Sequence, residues 1–82
     1  MTRLAMLAFA EGLVSDAAEQ RERILVEQPS REPLARAVVD ETVRVYFLIE
    51  SCRKIGKARE LEIKARLVKA DLMTQALLSP VQ

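Results

Sequence analysis

The tripeptide Gln28-Pro29-Ser30 separates two long stretches of helix-forming sequence. Proline disfavours helical geometry in the residue before it, so a first helix is expected to end near Gln28. The Ser30 hydroxyl suits a helix N-cap. Pro33 is tolerated in a first helical turn, because its missing N–H has no intrahelical partner there. The sequence therefore predicts that one helix ends and another begins at this tripeptide.

Both stretches have apolar residues at helical spacing, which predicts that the two helices pack together as an antiparallel hairpin. The first stripe contains Met6, Leu7, Ala10, Leu13, Val14, Ala17, Ala18, Ile24 and Leu25. The second contains Leu34, Ala37, Val38, Val45, Leu48, Ile49, Cys52 and Ile55.

Gly56 determines how far the second helix runs. Basic residues before a glycine are typical of a helix C-terminus, and Arg53 and Lys54 precede it. However, the segment from Lys57 onward begins without a Ser, Thr, Asp or Asn cap. We therefore expect a continuous second helix over residues 31–78, and the alternative is a break near Gly56 that gives a three-helix bundle.

Length and composition predict one small all-α domain over residues 1–82, with a helix at 2–27, a turn at 28–30 and the second helix at 31–78. The chain has 82 residues, 50% of them hydrophobic, with two Gly and three Pro, which is too few for a turn-rich β fold. It has no His and one Cys, so neither a Cys/His zinc site nor an intrachain disulfide is expected. We expect no cofactor and no metal.

A second apolar line follows the chain on the side away from the hairpin stripe. It contains Val43, Phe47, Ala58, Leu61, Ala65, Val68 and Leu72. A helix that is apolar on two faces needs more than one partner helix. Aromatic residues are enriched at contact surfaces, so Tyr46 is added to the predicted interface. That interface consists of Val43, Tyr46, Phe47, Leu61, Ala65, Val68 and Leu72, and the alternative is that these residues form the core of a third helix.

These features predict a non-enzymatic helical protein–protein interaction or assembly subunit that packs by a coiled-coil or helix-in-groove arrangement. The self-associating subunit, the adaptor and the small chaperone are forms of this prediction, and the expected partner is a second copy or another helical protein. A small core favours an oligomer. No catalytic motif is present, so we expect no enzyme.

The basic segment 53–69 provides an alternative, a small nucleic-acid-binding or regulatory protein. Its basic residues are interleaved with Glu60 and Glu62, and no aromatic residue follows Phe47 to stack on a base. The whole chain has a net charge of +1, so we expect a solvated helix instead and regard nucleic acid as an unfavoured partner.

Arg21 and Glu41 each fall inside an apolar stripe, and the hairpin register places them within about one turn of each other. We hypothesise an intrachain Arg21–Glu41 ion pair, since either charge buried alone would be costly. The alternative is that both side chains extend to solvent at the edge of the stripe.

The apolar run from Leu4 to Ala10 resembles the core of a signal peptide, but with Met1-Thr2-Arg3 it is shorter than such peptides usually are. We therefore expect a soluble, unprocessed cytoplasmic protein without a membrane span, and the alternative is a secreted assembly subunit.

The turn from Pro29 to Pro33, with the pattern Pro-Ser-x-x-Pro before a long helical segment, resembles the short helical-hairpin proteins of bacterial secretion systems, which are needle subunits and their small chaperones. The resemblance implies a helical hairpin and no individual functional residue.

Overall fold

The computed structural model describes residues 2–79, and within them the chain forms three α-helices that pack together. These elements are α1 (Arg3–Glu27), a 3₁₀ turn (Pro29–Arg31), α2 (Glu32–Ser51) and α3 (Lys57–Leu78). The predicted all-helical fold is confirmed. Met1 and residues 80–82 lie outside the described part.

The predicted turn after α1 forms where proline requires it. Gln28 leaves helical geometry with φ −143° and ψ 66°, while its N–H still donates to the Ile24 carbonyl. The predicted cap at Ser30 is wrong, because this residue lies inside the 3₁₀ turn and α2 begins after Arg31 without a side-chain cap. Pro33 lies in the first turn of α2, where its fixed φ suits the helix and its missing N–H leaves one donor fewer to satisfy.

The favoured continuous helix over residues 31–78 is wrong, because the chain leaves helical geometry between Ser51 and Lys57. Cys52 and Gly56 have extended backbones, with ψ values of 106° and 173°. Glycine is itself an acceptable N-cap, so α3 begins there without a capping side chain. The alternative with a break near Gly56 describes the structure, and α2 is 20 residues long.

A contact from the start of α1 stabilises this break. The guanidinium of Arg3 donates from Nε to the Cys52 carbonyl at 2.8 Å and from Nη2 to the Glu50 carbonyl at 3.0 Å. The last carbonyls of a helix have no intrahelical partner, and they carry the negative end of the helix dipole. Arg3 therefore caps the C-terminus of α2 from 47 to 49 residues away along the chain.

The break lets α3 fold back along α1 and α2, so that all three helices contribute to the core. Two hydrophobic clusters lie along the bundle. The buried residues of the first are Met6, Ala10, Leu13, Val45, Ile49, Ile63, Leu67 and Ala70. Those of the second are Ala17, Ile24, Ala35, Val38 and Leu77.

Two buried threonines lie between the clusters on their helices. The Thr42 hydroxyl donates to the Val39 carbonyl at 2.9 Å, and the Thr74 hydroxyl donates to the Ala70 carbonyl at 2.8 Å. Both hydroxyls therefore have hydrogen-bond partners within their own helices, which offsets the cost of burying them in the core.

No helix within residues 2–79 combines the length and the apolar character needed to cross a membrane.

Candidate protein-interaction surface

Helix α3 is apolar on two opposite sides. We call the side that packs on α1 and α2 the inner face; its buried residues are Ile63, Leu67, Ala70, Thr74 and Leu77. At about 100° per residue, a second set of apolar residues centres on the opposite side, and we call it the outer stripe. The outer stripe consists of Leu61, Ala65, Val68 and Leu72.

The outer stripe lies in solvent along its whole length. Leu61, Val68 and Leu72 are 69%, 59% and 64% exposed, and Ala65 between them is also exposed. Single exposed apolar residues are common on protein surfaces, but an aligned row over about three helical turns is not. Because α1 and α2 both pack on the inner face, a further helix has free access to the outer stripe.

The other three predicted interface residues lie on α2 and differ in exposure. Val43 and Tyr46 are half-buried, and Tyr46 packs against the first core cluster. Phe47 is 61% exposed. The rings of Tyr46 and Phe47 meet edge to face, with centroids 5.5 Å apart. The Tyr46 ring therefore packs against the Phe47 ring. Of the three predicted interface residues on α2, Phe47 is the most available for contact with a partner.

The environment of Tyr46 affects its ionisation. The carboxylate of Glu50, one helical turn on, raises the pKa of the Tyr46 phenol above its ordinary value. The larger cause is the hydrogen bond that the carboxylate accepts from the phenol, and the smaller is its negative charge. The phenol therefore stays neutral throughout the physiological pH range.

Charged side chains flank the outer stripe on both sides. Glu62 and Lys69 lie along one edge, and Lys64 and Asp71 lie along the other. Two of them have partners on the same helix: Glu62 accepts from Arg59 at 2.8 Å, and Lys64 lies 3.4 Å from Glu60. These pairs are exposed, so each contributes little to stability and each leaves room for a second partner.

The structure pairs Arg21 and Glu41 with other residues, so the predicted Arg21–Glu41 pair is wrong. Arg21 Nη2 lies 3.3 Å from Glu32 Oε1, which also binds Arg36, and Arg66 Nη2 lies 3.4 Å from Glu41 Oε1. The prediction considered only α1 and α2. Once α3 folds back, Arg66 reaches Glu41 from that side, and Arg21 turns towards the beginning of α2.

The basic segment 53–69 is partly neutralised within the chain. Arg59 and Lys64 pair with acidic residues on α3, and Arg66 pairs with Glu41 on α2. The half-buried Cys52 is a free thiol, and its carbonyl accepts from Arg3. Within residues 2–79, no group of three or more Cys, Asp or Glu residues is arranged to hold a metal ion.

A cleft of about 160 Å³ lies at the end of the bundle that contains the 3₁₀ turn. Arg23, Glu27 and Arg31 contribute to its lining. Arg31 is already bound there, because its Nη2 donates to the Ala76 carbonyl at 3.3 Å near the C-terminus of α3. The role of this arginine is therefore to cap a helix, as Arg3 does at the other end of α2. Sequence reasoning missed both caps, since nothing in the local sequence indicates either one.

Comparisons with protein-family models, with curated proteins and with solved structures find no match to this chain.

Proposed function

We propose that this chain is a non-enzymatic protein–protein interaction or assembly subunit that binds a helix on the outer stripe of α3. The observation that supports the proposal is the row of exposed apolar side chains at Leu61, Ala65, Val68 and Leu72, opposite the buried face of the same helix. Successive spacings of four, three and four residues match the seam of a two-stranded coiled coil.

The chemistry of the surface supports a helical partner. The outer stripe is narrow and straight, charged residues border it, and its central Ala65 leaves space for a side chain of a facing helix. These are properties of knobs-into-holes packing, in which each apolar residue enters a gap between residues of the partner. Phe47 and its half-buried neighbours Val43 and Tyr46 are a further contact area on α2.

The alternative function, nucleic-acid binding by the segment 53–69, lacks a comparable observation. Three of its basic side chains, Arg59, Lys64 and Arg66, already have carboxylate partners. Binding through phosphates requires free positive charge and weakens steeply with salt.

The proposal is tested by photocrosslinking in cells that produce the full chain, with benzoylphenylalanine in place of Leu72. The matched control carries the same group in place of Asp16, which is exposed on α1. We expect a light-dependent adduct from position 72 that maps to a helix of another polypeptide, either a second copy or a different protein. Position 16 should give none.

A double variant, Leu61→Asp with Val68→Asp, completes the test. Both side chains are exposed, so the variant should keep its helical circular dichroism while the adduct from position 72 disappears. An adduct from position 72 no stronger than that from position 16 would overturn the proposal. Loss of helicity in the double variant would also overturn it, because the outer stripe would then belong to the core of the protein itself.

A further inference from the structure

We infer that the partner of the outer stripe is a second copy of this chain, with the two α3 helices antiparallel. This inference rests on the proposed function and names the occupant of the same surface. It comes from the symmetry of the outer stripe. The spacings between Leu61, Ala65, Val68 and Leu72 are four, three and four residues, so they read the same in both directions.

An antiparallel second copy therefore meets the outer stripe in register. Leu61 lies opposite Leu72 of the second copy, Ala65 lies opposite its Val68, and the twofold axis repeats both contacts. Ala65, the one small residue of the outer stripe, faces the larger Val68, so no layer of the interface pairs two alanines. The interface is isologous, because the same surface of both copies forms it.

The charges beside the outer stripe are complementary in this arrangement. In an antiparallel pair, flanking residues face their counterparts on the same edge of the seam. Glu62 then faces Lys69 of the second copy, and Lys64 faces its Asp71. Symmetry gives four oppositely charged pairs in all, and none of the four joins like charges.

The parallel arrangement fails the same criterion. In a parallel pair, each residue on the edge of Lys64 and Asp71 faces the residue five positions further along the partner helix, on the edge of Glu62 and Lys69. Lys64 would then face Lys69 of the second copy, twice by symmetry, and this repulsion opposes the attraction between Lys57 and Glu62 at the same spacing. Antiparallel helices also bring opposite ends of their dipoles together. Charge complementarity therefore selects the antiparallel dimer.

Four apolar side chains per copy make a small interface, so the dimer is expected to form and dissociate with concentration. The intrachain pairs Arg59–Glu62 and Glu60–Lys64 remain compatible with it, since a carboxylate accepts more than one donor and an ammonium has three.

The test is a charge reversal followed by sedimentation equilibrium of the full chain at low salt, over about 1 µM to 1 mM. Lys69→Glu places two glutamates opposite each other in the antiparallel dimer, so we expect its dissociation constant to rise about tenfold. The added change Glu62→Lys restores opposite charges and should return the constant to within about twofold of the original. The control Lys54→Glu, in the exposed linker, makes the same change in net charge and should leave the constant unchanged.

The sign of the effect separates the two orientations. In a parallel dimer, Lys69→Glu would place a glutamate opposite Lys64 and tighten association, and this result would overturn the inference. Failure of the double variant to recover association would overturn it as well.

Disulfide trapping gives a second measurement that does not depend on charge. In a Cys52→Ala background, Leu61→Cys mixed with Leu72→Cys should form the mixed disulfide faster than either variant forms a disulfide with itself. Preferential self-linking of Leu61→Cys indicates a parallel pair and contradicts the inference. A wild-type chain that stays monomeric to about 1 mM also contradicts it. The proposed function is then decided separately, by whether position 72 crosslinks to a different protein in cells.

Discussion

The two sides of α3 contain the same kinds of residue in opposite surroundings. Ile63 on the inner face is fully buried, whereas Leu61, two positions earlier, is 69% exposed. Both sides repeat with helical spacing, so their composition does not distinguish them. The difference comes from α1 and α2, which cover only one side. The two apolar faces of α3 therefore indicate that it can pack against more than one partner. The positions of α1 and α2 determine which of the two faces is buried in the core.

The largest expected effect is a difference in the free energy of unfolding between alanine variants of the inner face and of the outer stripe. Ile63→Ala removes a fully buried side chain from the first cluster, which should lower the free energy of unfolding by about 3 kcal/mol. Leu61→Ala at the outer stripe should change it by less than about 0.5 kcal/mol in the monomer. Urea denaturation of both variants at a protein concentration too low for association measures the difference. Equal losses of unfolding free energy in the two variants would show that both faces are equally buried, which would contradict the difference between the inner face and the outer stripe.

A smaller effect is expected at the break that turns α3 onto its inner face. Arg3→Ala leaves the carbonyls of Glu50 and Cys52 without their cap and should cost about 1 kcal/mol, because both hydrogen bonds lie at or near the surface. Thermal unfolding followed by circular dichroism measures this cost. Arg53→Ala, an exposed arginine just after α2, is the matched control and should be nearly neutral. A control as destabilised as Arg3→Ala would point to lost charge instead of lost capping.

The smallest effect concerns the start of α3. Gly56 has a φ of −77°, and a side chain there would meet no atom within 4 Å. Gly56→Ser should therefore supply an N-cap and stabilise the bundle by about 0.5 kcal/mol. Gly56→Ala should not, because alanine is a poor N-cap. The two variants are compared by their denaturation midpoints. A stabilising alanine and a neutral serine would contradict the capping explanation.

The sequence predicted those features that depend on local chemistry. Pro29 restricts its neighbour Gln28, and the turn after α1 forms there. Val38, Val45 and Ile49 of the second stripe are fully buried, as its apolar spacing predicts. Five of the nine residues in the first stripe are also buried, namely Met6, Ala10, Leu13, Ala17 and Ile24.

The sequence could not predict features that depend on distant parts of the chain. The break between α2 and α3 has no strong local signal beyond Gly56, and its cap comes from Arg3, near the other end of the sequence. The pair between Arg66 and Glu41 likewise exists only once α3 has folded back. A register that aligns only α1 with α2 cannot predict contacts that α3 makes with either of them.

The buried side of α2 shows the same limit. Ala35 and Thr42 are fully buried, although neither belongs to the predicted stripe, while Leu34 is 43% exposed. A helix between two neighbours must turn its apolar side to face both of them. The stripe that suits one partner is therefore displaced when a second partner is present.

The alanines of the core have a consequence for ligand binding. Ala10, Ala17, Ala35 and Ala70 are almost completely buried, and none of the buried hydrophobic residues within 2–79 is aromatic. Alanine at helix contacts lets the backbones approach to about 8 Å between axes, the short end of the usual range. Small side chains at these contacts therefore favour close helix packing over an enclosed internal cavity. We therefore expect the proposed partner to bind on the outside surface of the bundle, at the outer stripe and its flanking charges.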